Sequence, residues 1–148
     1  MAEKLNTESN ALNLPYNLEA EQSVLGSILT DSKCMEEVIS YLKAEQFYLP
    51  QHRAIYSSMI TMFSSSNGLI DPVLIADALA KDGVYDTAGG KNYLFQLAQS
   101  VPSTANVVNY AKIVREQYYL RTLIQISNSI IDDATSGSGN ANEILDAA

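Results

Sequence analysis

The sequence contains no tryptophan, one cysteine, one histidine, four prolines and only nine lysines and arginines, and each scarcity closes off a class of protein. A single thiol, Cys34, cannot form an intramolecular disulfide, and with His52 as the only imidazole there is no Cys-x-x-Cys pair or His cluster to hold zinc. A reducing cytoplasm is the compartment that fits. No apolar run approaches the ~18–20 residues that a membrane span needs, and Met1 to Leu14 is polar rather than signal-like. Nine cations against seventeen carboxylates leave a net charge of −8, the wrong sign for neutralising phosphates by counterion release. Tight nucleic-acid binding by this chain alone is therefore not expected. What the chain does have is length. Its 148 residues suit one domain, which should bury roughly 68–70% of the surface its unfolded form exposes.

Strand-period alternation is scarce and helical spacing is everywhere, so the reading is an all-α chain. Residues 1–14 form a loose polar tail, and Pro15 holds the residue before it extended. From Asn17, a good N-cap, Leu18, Val24, Leu25, Ile28 and Leu29 recur at helical spacing, with Glu19 and Glu21 near the positive helix end. Asp31 or Ser32 can cap a second helix with Met35, Val38, Ile39 and Leu42 on its inner face, ending near Lys43. A connection carrying Phe47 and Tyr48 leads to Pro50, which suits the first turn of a third helix buried through Ile55, Met59, Met62 and Phe63. The run Ser64 to Gly68 stops that helix. Asp71-Pro72 starts a fourth through Leu74, Ile75, Ala78 and Leu79, and Gly83 ends it. Thr87 can open another, containing Tyr93, Leu94, Leu97 and Ala98, closed by Pro102. Counting a turn at Lys43 to Phe47, six helical pieces precede the last element.

That last element is longer than the rest. From Ser103 or Thr104 to about Thr135 neither Gly nor Pro interrupts the pattern, so the helix runs about 45 Å and should project beyond a compact head. Ser136 to Asn140 breaks it, and Ala141 to Ala148 begins a returning arm. The division expected is a tail over 1–14, a helical head over 15–102 and a helical hairpin over 103–148 with its second arm cut short. Leu120, Leu123, Ile124, Ile126, Ile130 and Ile131 spread over an arc of roughly 160°, with Ser127 inside it as a small residue permitting close approach. Arg121, Thr122, Gln125, Asn128 and Asp132 face away. So broad an apolar stripe needs more than one neighbour, namely the returning arm and a second copy of the chain. The self-association residues are accordingly Leu120, Leu123, Ile124, Ser127, Ile130 and Ile131.

Catalytic chemistry finds little support. Gly89-Gly90-Lys91 invites comparison with a phosphate-binding loop, but Tyr85 stands where the first glycine belongs and Asn92 where the Mg²⁺-binding hydroxyl belongs; a helix-entry turn is the reading. Cys34 and His52 could act as a nucleophile pair only by meeting across helices two and three. Packing near a helix start for His52, and partial burial for Cys34, are the plainer assignments. Glu19, Glu21, Glu36, Glu37 and Glu45 include no pair with pocket-like surroundings and read as solvated. The nine tyrosines, Tyr118-Tyr119 among them, lack the basic groove that base stacking needs and point to packing or a protein interface. No catalytic, cofactor or metal residue is assigned. An interaction module is the outcome, against the alternatives of a small helical enzyme or a stand-alone adaptor.

Four blocks in order add a resemblance. Pro15-Tyr16-Asn17-Leu18-Glu19-Ala20-Glu21-Gln22-Ser23-Val24-Leu25-Gly26-Ser27-Ile28-Leu29 resembles the opening of bacterial replicative helicases of the DnaB family. Phe47 to Tyr56, then Gly89-Gly90 with Tyr93-Leu94, then Val101 to Asn106 with Tyr110 to Glu116 agree in the same order, so that the likeness covers about residues 15–135. The resemblance implies an all-α head with a helical hairpin, hairpins that pair subunits, and a hexameric collar built as a trimer of dimers. It implies primase as a partner, and a helicase loader in some species. It also implies that ATP, Mg²⁺ and 5′-to-3′ unwinding belong to a motor that these residues do not contain.

Overall fold

The computed structural model describes residues 13–65, 67–83, 86, 89–137 and 139–148. All regular structure among them is helical. The elements are α1 (Leu18–Thr30), α2 (Cys34–Val38), a 3₁₀ turn (Ala44–Gln46), α3 (Pro50–Ser65), α4 (Pro72–Lys81), α5 (Gly90–Gln99), α6 (Val107–Ser136) and α7 (Ala141–Ala147). The chain divides into two compact units. One is Tyr16–Glu116; the other, within the described residues, comprises 13–15 and Gln117–Ala148.

Local chemistry sets most helix ends. Asn17 Oδ1 accepts the Ala20 N–H at 2.9 Å, and Asp71 Oδ1 accepts the Leu74 N–H at 2.8 Å ahead of Pro72, each relieving an orphan amide at a helix start. Gly89, at φ 89°, is the N-cap of α5, so the Gly89-Gly90 pair is indeed a helix entry. Asn67 (φ 56°) and Gly68 (φ 79°) turn the chain after α3. The expected tail lies outside the described residues except for 13 and 14, and so does Thr87.

Several expectations are corrected. The second helix stops at Val38 rather than near Lys43, because the Lys43 N–H is taken by Gln46 Oε1 at 2.9 Å and the chain there is extended. Neither Asp31 nor Ser32 caps it. Asp31 ends α1 and accepts the Lys33 N–H, while the Ser32 hydroxyl both donates to the Ile70 carbonyl and accepts from the Ile70 N–H, each at 3.0 Å. Ile39 and Leu74 are exposed, and Met62 and Phe63 are half-buried, with Tyr56 and Ala76 taking core places instead. The long helix begins at Val107, since the Ala105 N–H bonds Ser103 Oγ in a preceding turn.

In the unit Tyr16–Glu116, α1 is the central helix, packing on α2, α3 and α5, and α4 packs on α3 and α5. Val24, Leu25, Ile28, Met35, Val38, Phe47, Ile55, Tyr56, Met59, Ile75 and Leu94 are fully buried. The first turns of α6 close the core with Val107, Ala111 and Val114. The Tyr56 hydroxyl donates to the Leu42 carbonyl at 2.9 Å, so the phenol's polar end is satisfied in the interior. α1 and α5 approach closely at Gly26, where an added Cβ would lie 2.3 Å from the Leu97 carbonyl oxygen and 2.6 Å from a Val101 methyl. The Thr30 hydroxyl fastens the same contact, with its oxygen 2.8 Å from the Gly26 carbonyl and 3.1 Å from that of Ala98.

A methyl group at Gly26 can be admitted only by moving backbone. Gly26→Ala is therefore expected to destabilise the domain by about 1–3 kcal/mol, despite alanine's better helix propensity. A urea unfolding curve followed by circular dichroism checks this; a variant as stable as the parent would mean that α1 and α5 are not in backbone contact.

Candidate functional site

Among the described residues, a buried polar cluster and an exposed apolar helix face stand out, and they differ in kind. The first is a buried cluster in the unit Tyr16–Glu116. Glu21 is 1% exposed and His52 is 0% exposed. The Glu21 carboxylate accepts the Tyr48 N–H at 2.8 Å, the Leu49 N–H at 3.5 Å and a hydrogen bond from His52 Nδ1 at 2.8 Å. His52 Nε2 lies 2.6 Å from the Tyr93 hydroxyl, and the Gln22 amide reaches that hydroxyl at 3.5 Å. A carboxylate can only accept, so Nδ1 carries the hydrogen toward Glu21, while Nε2 and the Tyr93 hydroxyl share the second hydrogen bond. Burial pushes the Tyr93 phenol up, offset by hydrogen bonds from Gln22 and Gln51. Arg53 holds the same connection from the other side, donating to the carbonyls of Phe47 at 3.1 Å and Tyr48 at 2.9 Å.

This arrangement is structural. Glu21, expected from sequence to be solvated, is instead buried, where it satisfies the non-helical segment that leads into α3. Its signal in the sequence is register: Glu21, Val24, Leu25 and Ile28 share one stripe of α1. His52 bonds Glu21 and Tyr93, while Cys34 is buried beside Asp31 and Thr104, so no Cys-His couple forms. The Cys34 thiol is raised by burial first and by Asp31 next, against a lowering hydrogen bond from Thr104, the opposite of an activated nucleophile. Among the described residues no three of His, Cys, Asp and Glu gather as a metal site. Glu19, Glu36, Glu37 and Glu45 are exposed. No described helix is long and apolar enough to cross a membrane.

The second feature lies in the unit that holds Gln117–Ala148. Here α6 leaves Leu123 60%, Ile131 57%, Ile126 47% and Leu120 38% exposed. Ile124 and Ile130 are half-buried, and Ser127 is exposed. α7 returns along part of this face: Ile144, Ala147 and Ala148 line a cleft of about 170 Å³ with Ile126, Ser129, Ile130 and Asp133. α7 itself begins with a reciprocal cap, Asn140 Oδ1 accepting the Glu143 N–H at 2.9 Å. Arg121, expected to face solvent, is 6% exposed, donates to the Pro15 carbonyl at 2.9 Å and lies over the Tyr118 ring. That partner stands 106 positions away, and periodicity carries no trace of it.

The polar cluster predicts an order of stability losses. Glu21→Ala orphans two backbone amides and the imidazole hydrogen, at about 1–3 kcal/mol for each buried unsatisfied group. Tyr93→Phe removes one hydroxyl and is expected to cost only about 0.5–1.5 kcal/mol, with His52→Ala between them. Denaturant midpoints of the three variants measure the order. Equal losses from Glu21→Ala and Tyr93→Phe would contradict the central place given to the carboxylate.

Comparison with known proteins follows the same lines as the fold. The family described as DnaB-like helicase N terminal domain matches residues 13–116. The replicative DNA helicase DnaB of Pasteurella multocida is 36% identical over 135 residues, covering 90% of this chain and 29% of that protein. The replicative DNA helicase DnaC of Bacillus subtilis is 34% identical over 134 residues, with 90% and 29% covered. The crystal structure of the N-terminal domain of DnaB helicase from Mycobacterium tuberculosis superposes with a TM-score of 0.84 at 32% identity, covering 90% of this chain and 94% of that one. A DnaB-like replicative helicase, described with its interactions with primase, gives a TM-score of 0.70 at 32% identity, with 81% of this chain and 28% of that one covered. The chain spans less than a third of the length of the curated relatives it matches. On this agreement of fold and sequence the chain belongs to the family of DnaB-like helicase N-terminal domains.

Proposed function

We propose that these residues act as the collar domain of a replicative helicase, a non-catalytic module that joins subunits and docks partners. The exposed apolar face of α6 carries this reading. Leu120, Leu123 and Ile131 stand open to solvent on a helix whose neighbour α7 lines only the part near Ile126 and Ile130. A second copy covering the face would remove apolar surface worth about 25 cal/mol per Å². Leu120, Leu123, Ile124, Ser127, Ile130 and Ile131 are the proposed contact set, and a dimer, assembled threefold into a hexamer in the parent protein, is the proposed assembly. Primase is the proposed partner by likeness to the helicase described with it, and a helicase loader is a second partner in some species. ATP-dependent 5′-to-3′ unwinding, with its ATP and Mg²⁺, is assigned to the parent motor and not to this domain.

Ile131→Asp tests the assembly directly. The side chain is 57% exposed in the single chain, so the charge leaves the fold alone but must be desolvated unpaired in an interface, at a cost of several kcal/mol. Light scattering over a broad concentration range is expected to give a concentration-dependent mass for the parent domain and a monomer for the variant, with identical helicity by circular dichroism. A parent domain that stays monomeric throughout, or a variant that associates equally well, would remove the α6 face from the assembly. Calorimetric titration of the cognate primase's helicase-binding domain onto the assembled collar tests the partner separately, and absence of heat and of co-elution would count against docking.

A further inference from the structure

The cations of the unit Tyr16–Glu116 are unevenly employed. Arg53 donates to backbone carbonyls, Lys81 pairs with Asp77 at 3.0 Å, and Lys91 lies over Phe95. Lys112 and Arg115, one turn apart on α6, instead converge on a single ring. The Lys112 ammonium is 5.5 Å and the Arg115 guanidinium 5.3 Å from the centroid of Tyr41. Neither has a carboxylate within 4.0 Å among the described residues, although the chain carries seventeen acids. Their helix turns are anchored, because Val107, Ala111 and Val114 are buried in the core, and Tyr41 itself packs against that core. Lys112 is exposed and Arg115 half-exposed.

Two like charges held over one aromatic ring repel one another, and the ring's quadrupole attracts each only weakly at an exposed site. A single oxyanion placed between them would accept charge-assisted hydrogen bonds from both, the guanidinium offering a planar fork and the ammonium a point charge. We propose that Tyr41, Lys112 and Arg115 form a clamp for a carboxylate side chain on an acidic segment of a partner protein. A nucleic-acid strand fits less well, because a strand needs a basic track along its backbone, and this chain, at net charge −8, offers two cations on one turn. The clamp does not depend on the α6 face assigned to self-association.

A titration of the folded domain with hexaglutamate, followed by amide chemical shifts at ~20 mM salt where charge attraction is least screened, tests the clamp. Saturable shifts centred on Tyr41, Lys112 and Arg115 are expected. The double variant Lys112→Gln, Arg115→Gln should weaken binding by about tenfold or more. A control with the same charge change, Lys81→Gln with Lys91→Gln, should leave it unaltered, and Lys112→Gln alone, at an exposed position, serves should the double variant lose its dispersed spectrum. Parallel arms use inorganic phosphate and an oligothymidine strand. Absence of saturation, equal weakening by fork and control variants, or tighter binding of phosphate or oligothymidine than of the peptide at the same residues would each overturn the proposal.

Discussion

A single buried carboxylate organises the unit Tyr16–Glu116. Glu21 sits at 1% exposure on the central helix, where an unpaired charge would cost far more than the domain's net stability. It is tolerated because it accepts from two backbone amides at the entry to α3 and from His52. Those same bonds satisfy amides of the irregular backbone that leads into α3. With Arg53 taking the carbonyls of Phe47 and Tyr48, the segment between α2 and α3 has both its donors and its acceptors engaged. The imidazole then passes the connection on to Tyr93, so that α1, α3 and α5 are tied through one chain of hydrogen bonds.

Around that cluster the packing leaves α1 little freedom. Gly26 lets α5 approach to backbone contact, and Ala20, Val24, Leu25 and Ile28 fill the space between the other helices. The buried polar groups are employed in holding helices together, and the strongest titratable neighbours, Glu21 and His52, are sealed from any substrate. On α6 beyond Glu116, the large apolar side chains of Leu120, Leu123, Ile126 and Ile131 remain in solvent along one helix. That contrast between a satisfied interior and an unsatisfied helix face underlies the proposed role in assembly.

Much of the architecture can be read from residue pattern alone because its causes are local. Asn17 and Asp71-Pro72 mark helix starts through side-chain bonds that span three residues. Gly89 and Gly68 mark turns because they need a positive φ. The apolar character of Leu120, Leu123 and Ile131 depends on spacing along one helix, and their exposure in the single chain follows from having so few neighbours there. Where packing competes with propensity, the pattern misleads. The helix expected to continue to Lys43 gives way to a 3₁₀ turn because Gln46 takes the Lys43 amide, and Leu74 points outward while Ala76 is buried.

By itself, then, the amino-acid order determined the all-α class, the succession of helices, the long α6 and its apolar stripe, and the likeness to helicase N-terminal domains. Each of these rests on periodicities and capping contacts within a few residues. Tertiary structure alone decided which charged and polar side chains find partners far along the chain. Glu21 meets His52 across 31 positions, His52 meets Tyr93 across 41, and Arg121 meets Pro15 across 106. Lys112 and Arg115 find Tyr41 in the same way, from far along the chain. Away from helix caps a charge reads as solvated in a one-dimensional pattern, and only the folded neighbourhood determines whether water or a distant backbone amide answers it.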